Sequence, residues 1–153
     1  MIKNLDNKSG KTSNILVASA IYRLWSNPSD KVIAALHRLP ADVTVVNRRP
    51  KKVYSKKPRK VAFVLVSAQR HYICLEAFKV AGLSTDDIKD SYGCKTTQGF
   101  VDEYGNFYDR YESLKLVVDN PLDNFVTDDT LAVLEDRLKD GGVNAILDSY
   151  DLW

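Results

Sequence analysis

From Ser13 onward the apolar positions Ile15, Leu16, Ala18, Ile21, Tyr22, Leu24 and Trp25 are spaced to line one broad stripe, which predicts a helix. Ser26-Asn27-Pro28-Ser29 stops it. A second helix follows, with Ser29 as its cap and Val32, Ile33, Leu36 and Leu39 on one side up to Pro40. Val43 to Arg49 alternates as a strand does and Pro50 breaks it, while Val61 to Val66 is short, continuous and β-branched, the signature of a fully buried strand. Helical spacing returns over Tyr72 to Ala81, with Ile73, Leu75, Ala77, Phe78 and Val80 apolar and Gly82 as the stop. Thr85 to Lys95 has no period and reads as irregular.

The next stretch, Gln98 to Arg110, interleaves polar and aromatic residues. Phe100 and Phe107 flank Tyr104-Gly105-Asn106, where glycine can adopt the positive φ of a tight hairpin, so two short strands are expected. Asp109 then caps a helix, with Glu112 three residues on completing a capping box, and the helix carries Leu114, Leu116, Val117 and Val118 to Asn120-Pro121. Two last helices are expected over Thr127–Lys139, with Asp128 and Asp129 in its first turn, and Val143–Tyr150 after Gly141-Gly142. The expected class is therefore α+β: a small antiparallel or mixed sheet flanked by helices, with an N-terminal helix pair and a C-terminal helix pair. Residues 1–11 are read as a flexible arm and 12–153 as a single domain, made of a helical pair over 12–40, an α+β core over 41–120 and C-terminal helices over 121–153.

At 153 residues the chain is long enough to enclose a core without disulfides. Its longest apolar run, Val61 to Ala68, falls far short of the roughly 20 residues that cross a bilayer, so no membrane span and a cytoplasmic location are expected. Cys74 and Cys94 fit no disulfide or metal framework; Cys74 reads as a small buried hydrophobe. Charge changes the picture more. Residues 1–83 carry 16 basic and 4 acidic side chains, whereas residues 84–153 carry 6 and 16. A net charge of +12 against −10 favours an anionic partner at one end, and points to head-to-tail self-association, an intramolecular clamp or mutual neutralisation.

Two segments carry candidate chemistry. Arg48, Arg49, Lys51, Lys52, Lys56, Lys57, Arg59 and Lys60 place eight cations in thirteen residues, with Tyr54 among them. As a hairpin after two helices they resemble a basic wing and suit nucleic-acid phosphates without base reading; the alternatives are a solvated loop or one that docks on the acidic half. Arg70 and His71 stand where the buried strand runs into a helix, a place where helix N-terminal amides and a nearby cation suit a phosphate or carboxylate. Catalysis is not marked. His37 and His71 are the two histidines, and neither has a nucleophile partner, a phosphate-binding glycine loop or a metal-ligand spacing beside it. Asp86-Asp87, Asp102-Glu103 and Asp128-Asp129 sit where turns and helix starts place acids. No cofactor is expected.

Arg70-His71 at a strand end, a helix, Gln98-Gly99-Phe100, Gly105, then Phe107, Asp109 and Arg110 before a helix with Glu112 together resemble a group of small tailed-phage and prophage proteins, over about Val61 to Asn120. The chain departs from that pattern at Ser113, where alanine is usual, and in its two N-terminal helices, basic segment and C-terminal pair. The resemblance implies a phage-encoded accessory binding protein, with counter-defence as its use. Read from the residues themselves, a ligand set would be Arg70, His71, Gln98, Phe100, Phe107, Tyr108 and Arg110, the arginines meeting a phosphate and an aromatic ring stacking a base. The alternative is structural throughout, with Gly105 for the turn, the Phe residues in the core, Asp109 as cap and Arg110 as its salt-bridge partner. The implied partners are an anionic small molecule, nucleic acid or a host defence protein. A third reading makes the acidic end a nucleic-acid mimic that occupies a host enzyme's basic groove.

Overall fold

A computed structural model describes residues 10–26, 28–39, 44–46, 51–53, 59–84, 88 and 94–153; at 26, 44–46, 51–53, 59–63 and 94–97 it describes the backbone alone. The elements are β1 (Leu16–Ser26), α1 (Asp30–Leu36), β2 (Thr44–Val46), β3 (Lys51–Val53), β4 (Arg59–Ala68), α2 (His71–Val80), β5 (Cys94–Asp102), β6 (Phe107–Asp109), α3 (Arg110–Asp119), α4 (Asp128–Asp140), a 3₁₀ turn (Gly142–Asn144) and α5 (Ser149–Leu152). The sheet order is β2-β4-β1-β5-β6, with β3 pairing β4. The α+β class and the helices flanking a sheet are as the sequence predicts.

One expected member of the N-terminal helix pair is corrected: Leu16–Ser26 is a strand. Residues 19–23 are all buried, a run that helical spacing along one face does not produce. Between β4 and β5 the strand has a neighbour on each edge. A strand buried on both faces loses its alternation, and its apolar run cannot be told from a buried helix by periodicity. The second member of the pair stands. Ser29 caps α1 by accepting from the Val32 amide at 3.3 Å, and Val32, Ala35 and Leu36 are buried.

The chain forms two compact units, residues 1–19 with 98–153 and residues 20–97. The second is packed around Ile21, Trp25, Leu36, Val64, Val66, Cys74 and Phe78. Trp25 meets Phe78 edge to face, 6.4 Å between centroids, and full burial of a ring such as Phe78 contributes roughly 1.5–3 kcal/mol. Burial pushes the Cys74 thiol up to about 12, so it stays protonated and inert, with its sulfur 3.7 Å from the Val66 carbonyl oxygen. Arg23 is fully buried with its guanidinium carbon 5.1 Å from the Trp25 ring centre. In the basic segment β3 and β4 pair antiparallel, as in the hairpin alternative rather than the loop, Lys51 opposite Val61, Lys52 opposite Lys60 and Val53 opposite Arg59.

The first unit holds the polar-aromatic hairpin. β5 and β6 pair with Gly99 opposite Asp109, Phe100 opposite Tyr108 and Val101 opposite Phe107, and Gly105 takes φ 81° in the turn, as expected. β5 begins earlier than predicted, since Cys94 and Lys95 belong to it; residues 85–87 and 89–93 of the segment read as irregular lie outside the described residues. Phe100, Leu114, Val117, Leu134, Ala145 and Leu147 make this unit's core, and Trp153 folds back against it, 6.1 Å from Phe100.

The expected helix over 143–150 is also corrected. Gly141 and Gly142 take φ 67° and 69°, a short 3₁₀ turn begins at Gly142, and Ala145 and Leu147 alternate into the interior before the four-residue α5, whose first residue Ser149 is also buried. Tertiary partners take the backbone groups a helix would use: the Ile146 and Leu147 carbonyls accept from Arg137 and Arg110, and the Leu147 amide donates to the Arg110 carbonyl at 3.0 Å.

Gly99 gives a direct test of the hairpin's packing. A Cβ there would run into the Tyr108 carbonyl oxygen and stand 2.7 Å from Phe107 Cζ, and the backbone oxygen cannot swing away. Gly99→Ala is expected to destabilise the protein by about 3 kcal/mol or more in urea unfolding, far beyond an ordinary glycine-to-alanine change.

Candidate functional site

Asp102 closes the β5–β6 turn and is 1% exposed. Its Oδ1 accepts from the amides of Tyr104 at 2.9 Å and Asn106 at 3.0 Å; its Oδ2 accepts from Asn106 Nδ2 at 2.8 Å, the Ser13 amide at 3.0 Å and the Tyr108 hydroxyl at 3.2 Å. Asn106 Nδ2 also donates to the Lys11 carbonyl at 2.7 Å. Asp102 was read in the sequence as an ordinary turn acid; its spacing to Gly105 marks the turn, but nothing local marks the donors from Ser13 and Tyr108. Burial foremost, and then the Asp102 charge, push the Tyr108 hydroxyl up to about 12.

The hairpin delivers the chain into α3. Asp109 and Glu112 form the predicted capping box, the Glu112 amide donating to Asp109 at 2.8 Å and the Asp109 amide to Glu112 at 3.1 Å. Burial, more than the neighbouring Asp109 charge, holds the Glu112 carboxyl above the usual range. Arg110 is the first residue of the helix. Its Nε donates to the Leu147 carbonyl at 2.9 Å, and one Nη meets Asp148 at a long 3.4 Å. From α4, Arg137 donates to the Ile146 carbonyl at 3.0 Å and grips Asp151 with both Nη groups, at 2.7 and 3.5 Å. Arg110, Arg137, Asn144, Ile146 and Asp148 line a pocket of about 310 Å³. A shallower groove of about 430 Å³ runs along α3, lined by Tyr108, Tyr111, Glu112, Lys115, Leu116, Asp119 and Asn120.

The residues predicted as a ligand set are distributed as follows. Arg110 lines the pocket and Tyr108 the groove, while Gln98 is half-buried on β5. Phe100 and Phe107 are 0% and 1% exposed and sit in the core, where no ligand face reaches their rings. Arg70 and His71 belong to the second unit, at the predicted junction: Arg70 ends the extended backbone with φ −128° and ψ 150°, and His71 opens α2. Of the nucleic-acid set, Lys51, Lys52, Arg59 and Lys60 lie on the β3–β4 ladder, and Arg48, Arg49, Tyr54, Lys56 and Lys57 lie outside the described residues. Arg137 and Asn144 were not foreseen. A helical arginine and a post-glycine asparagine carry no local signal, and they join the site through the extended path of residues 145–148.

The Gln98–Arg110 cassette stands at the centre of these features and is the stretch that resembles small phage proteins. A family model described as phage T4 y16D protein matches residues 43–129, which is 87 of the 153 residues, and the chain belongs to that family. The match contains the whole stretch on which the phage resemblance rested and extends to the basic ladder on one side and the first turn of α4 on the other. No curated protein and no solved structure matches the chain. Among the described residues no helix is long and apolar enough to cross a membrane.

Tyr108 supplies a pH test. Its folded pKa lies above the unfolded value near 10, so its contribution is fully present below about pH 10 and is lost as pH rises toward about 12. Urea stability is expected to fall by roughly 2 kcal/mol across that interval. Tyr108→Phe should flatten this loss, and tyrosinate absorbance should show one tyrosine titrating late.

Proposed function

We propose that this phage protein is an accessory binding protein whose Arg110–Arg137 pocket holds a small phosphate-bearing, nucleotide-like anion without turning it over. One observation carries the reading: two guanidinium groups from different helices, 26% and 25% exposed, border a pocket of about 310 Å³ together with an asparagine amide. That size is at the lower end for small-molecule sites, which span about 300–1,000 Å³, and suits one phosphate and little more than a sugar or base. The two arginines are unequally committed. Arg137 is held bidentate by Asp151, whereas Arg110 meets the half-exposed Asp148 through one long contact, which an incoming phosphate can replace with a shorter, two-pronged one. Membership of a phage family supports a use against the host, the retained anion being a nucleotide signal of defence.

The test is native mass spectrometry of the protein from infected cells, with inorganic phosphate and nucleoside monophosphates as added ligands. A discrete increment that persists unconverted is expected. Asn144→Asp, at an exposed position, should weaken the complex and Asp148→Asn should tighten it, each by up to about five-fold, as for single exposed charge pairs. Binding indifferent to both changes would remove the pocket from the proposal.

A second reading, sequence-independent nucleic-acid binding by residues 48–60, is favoured by the ladder register. Lys52 stands opposite Lys60 in the register, so the ladder gathers Lys51, Lys52, Arg59 and Lys60 along two neighbouring strands, a density of cationic positions that suits a polyanion. Replacing Lys51 and Lys52 by glutamate should abolish salt-sensitive binding to a random duplex and leave anion retention at Arg110 intact.

A further inference from the structure

Between α3 and α4 the chain makes a six-residue loop, Pro121 to Val126, that exposes two large apolar side chains. Leu122 is 87% exposed and Phe125 is 89% exposed. The loop itself is firmly built. The Val126 amide donates to the Pro121 carbonyl at 3.0 Å, the Phe125 amide to Leu122 at 3.2 Å and the Asn124 amide to Asn120 at 3.3 Å. Asn124, 7% exposed, faces inward: its Nδ2 donates to the carbonyls of Asn14 at 2.8 Å and Asn120 at 2.9 Å, and its Oδ1 accepts from the Leu16 amide at 3.0 Å. Anchoring Asn124 leaves its neighbours on the outside. Phe125 takes φ 57°, the one positive φ of a non-glycine residue among the described residues, a conformation in which a bulky residue is strained.

Nothing in the folding of this unit calls for a phenylalanine at that position. Its ring is in water, and asparagine or glycine would adopt the backbone with less strain. The surrounding charge is one-sided. Asp119, Asp123, Asp128 and Asp129 are all exposed, and residues 119–129 contain no lysine or arginine. The geometry points to a docking loop: Leu122 and Phe125 insert into an apolar pocket of a partner protein whose rim is lined with lysine and arginine. The four carboxylates decide the partner's chemistry. They repel nucleic-acid phosphates and anionic lipid, and they orient the apolar pair toward a cationic protein surface of the kind that handles nucleic acid. A symmetric loop-to-loop contact between two copies would bring eight carboxylates face to face, which disfavours that pairing. The small, central, aromatic-anchored contact with charged surroundings has the usual form of an interface hot spot.

The test uses the full-length protein and a defined probe, an amphipathic helical peptide of leucine and lysine. Amide NMR titration is expected to show shifts concentrated at residues 121–126, with binding that weakens several-fold between roughly 0.05 and 0.5 M salt. A leucine–glutamate peptide and a lysine–alanine peptide, which lack the charge and the apolar face respectively, should not bind. Phe125→Asn should lower affinity for the leucine–lysine peptide by about ten-fold or more while raising the melting temperature by about 2–4 °C, because strain is relieved as the anchor is lost. Shifts centred elsewhere, or an unchanged affinity in Phe125→Asn and Leu122→Ala, would overturn the docking loop. Sedimentation showing self-association that Phe125→Asn abolishes would overturn the foreign partner in favour of a second copy.

Discussion

A carboxylate taken out of water is stable only where donors replace the hydration it loses, and Asp102 in this protein has five. Two come from the turn backbone it spans, one from the Asn106 amide side chain, one from Tyr108 and one from Ser13, eighty-nine residues away in sequence. The same group therefore shapes the β5–β6 turn and ties down the strand of chain that leads into β1. Once the hairpin is set, Gly99 lets β6 close against β5, Asp109 falls at the helix start, and Arg110 is aimed by the capping box. Removing one donor leaves a charge in a low-dielectric interior, which is why the arrangement behaves as a unit.

Arg110 and Arg137 do for the C-terminal segment what Asp102 does for the N-terminal one. Each takes a carbonyl oxygen of the extended stretch 146–147, and that stretch seats Ala145 and Leu147 in the core. The pocket between the arginines is a consequence of this fastening, since planar guanidinium groups can bond backbone on one edge and keep another edge toward a ligand. A structural role and the proposed binding role thus rest on the same two side chains. The family match covers Arg110 and ends before Arg137, so the second arginine lies outside the matched residues.

The charge asymmetry visible along the chain sharpens when drawn by unit. Residues 20–97 hold 15 basic and 6 acidic residues, net +9; the other unit holds 7 and 14, net −7. Opposed potentials of this size would favour partners of opposite charge at each unit, with an attraction that weakens as salt rises. A basic ladder, a pocket with paired arginines and an acidic loop with apolar tips are then three separate chemistries on a phage protein of modest length.

Local rules legible in the sequence governed the elements whose signals are local: the Ser29 and Asp109 caps, the Gly105 turn, the β-branched strand β4 and the helix that begins after Arg70. Each depends on residues within a few positions of one another, so one stretch of chain suffices to predict it. Tertiary structure alone decided the rest. Leu16–Ser26 is a strand because neighbours on both edges complete its hydrogen bonds, and burial on both faces erases the period that would have announced it. Residues 145–148 leave the helical path, and Arg137 and Arg110 take up the Ile146 and Leu147 carbonyls that a next helical turn would have used. Phe100 and Phe107 could be read as stacking plates or as core, and the fold buried them, since an aromatic ring's partner is set by which surfaces the fold brings together. The sequence determined the class, the caps and the charge; which residues meet across the chain was decided only when long-range contacts closed.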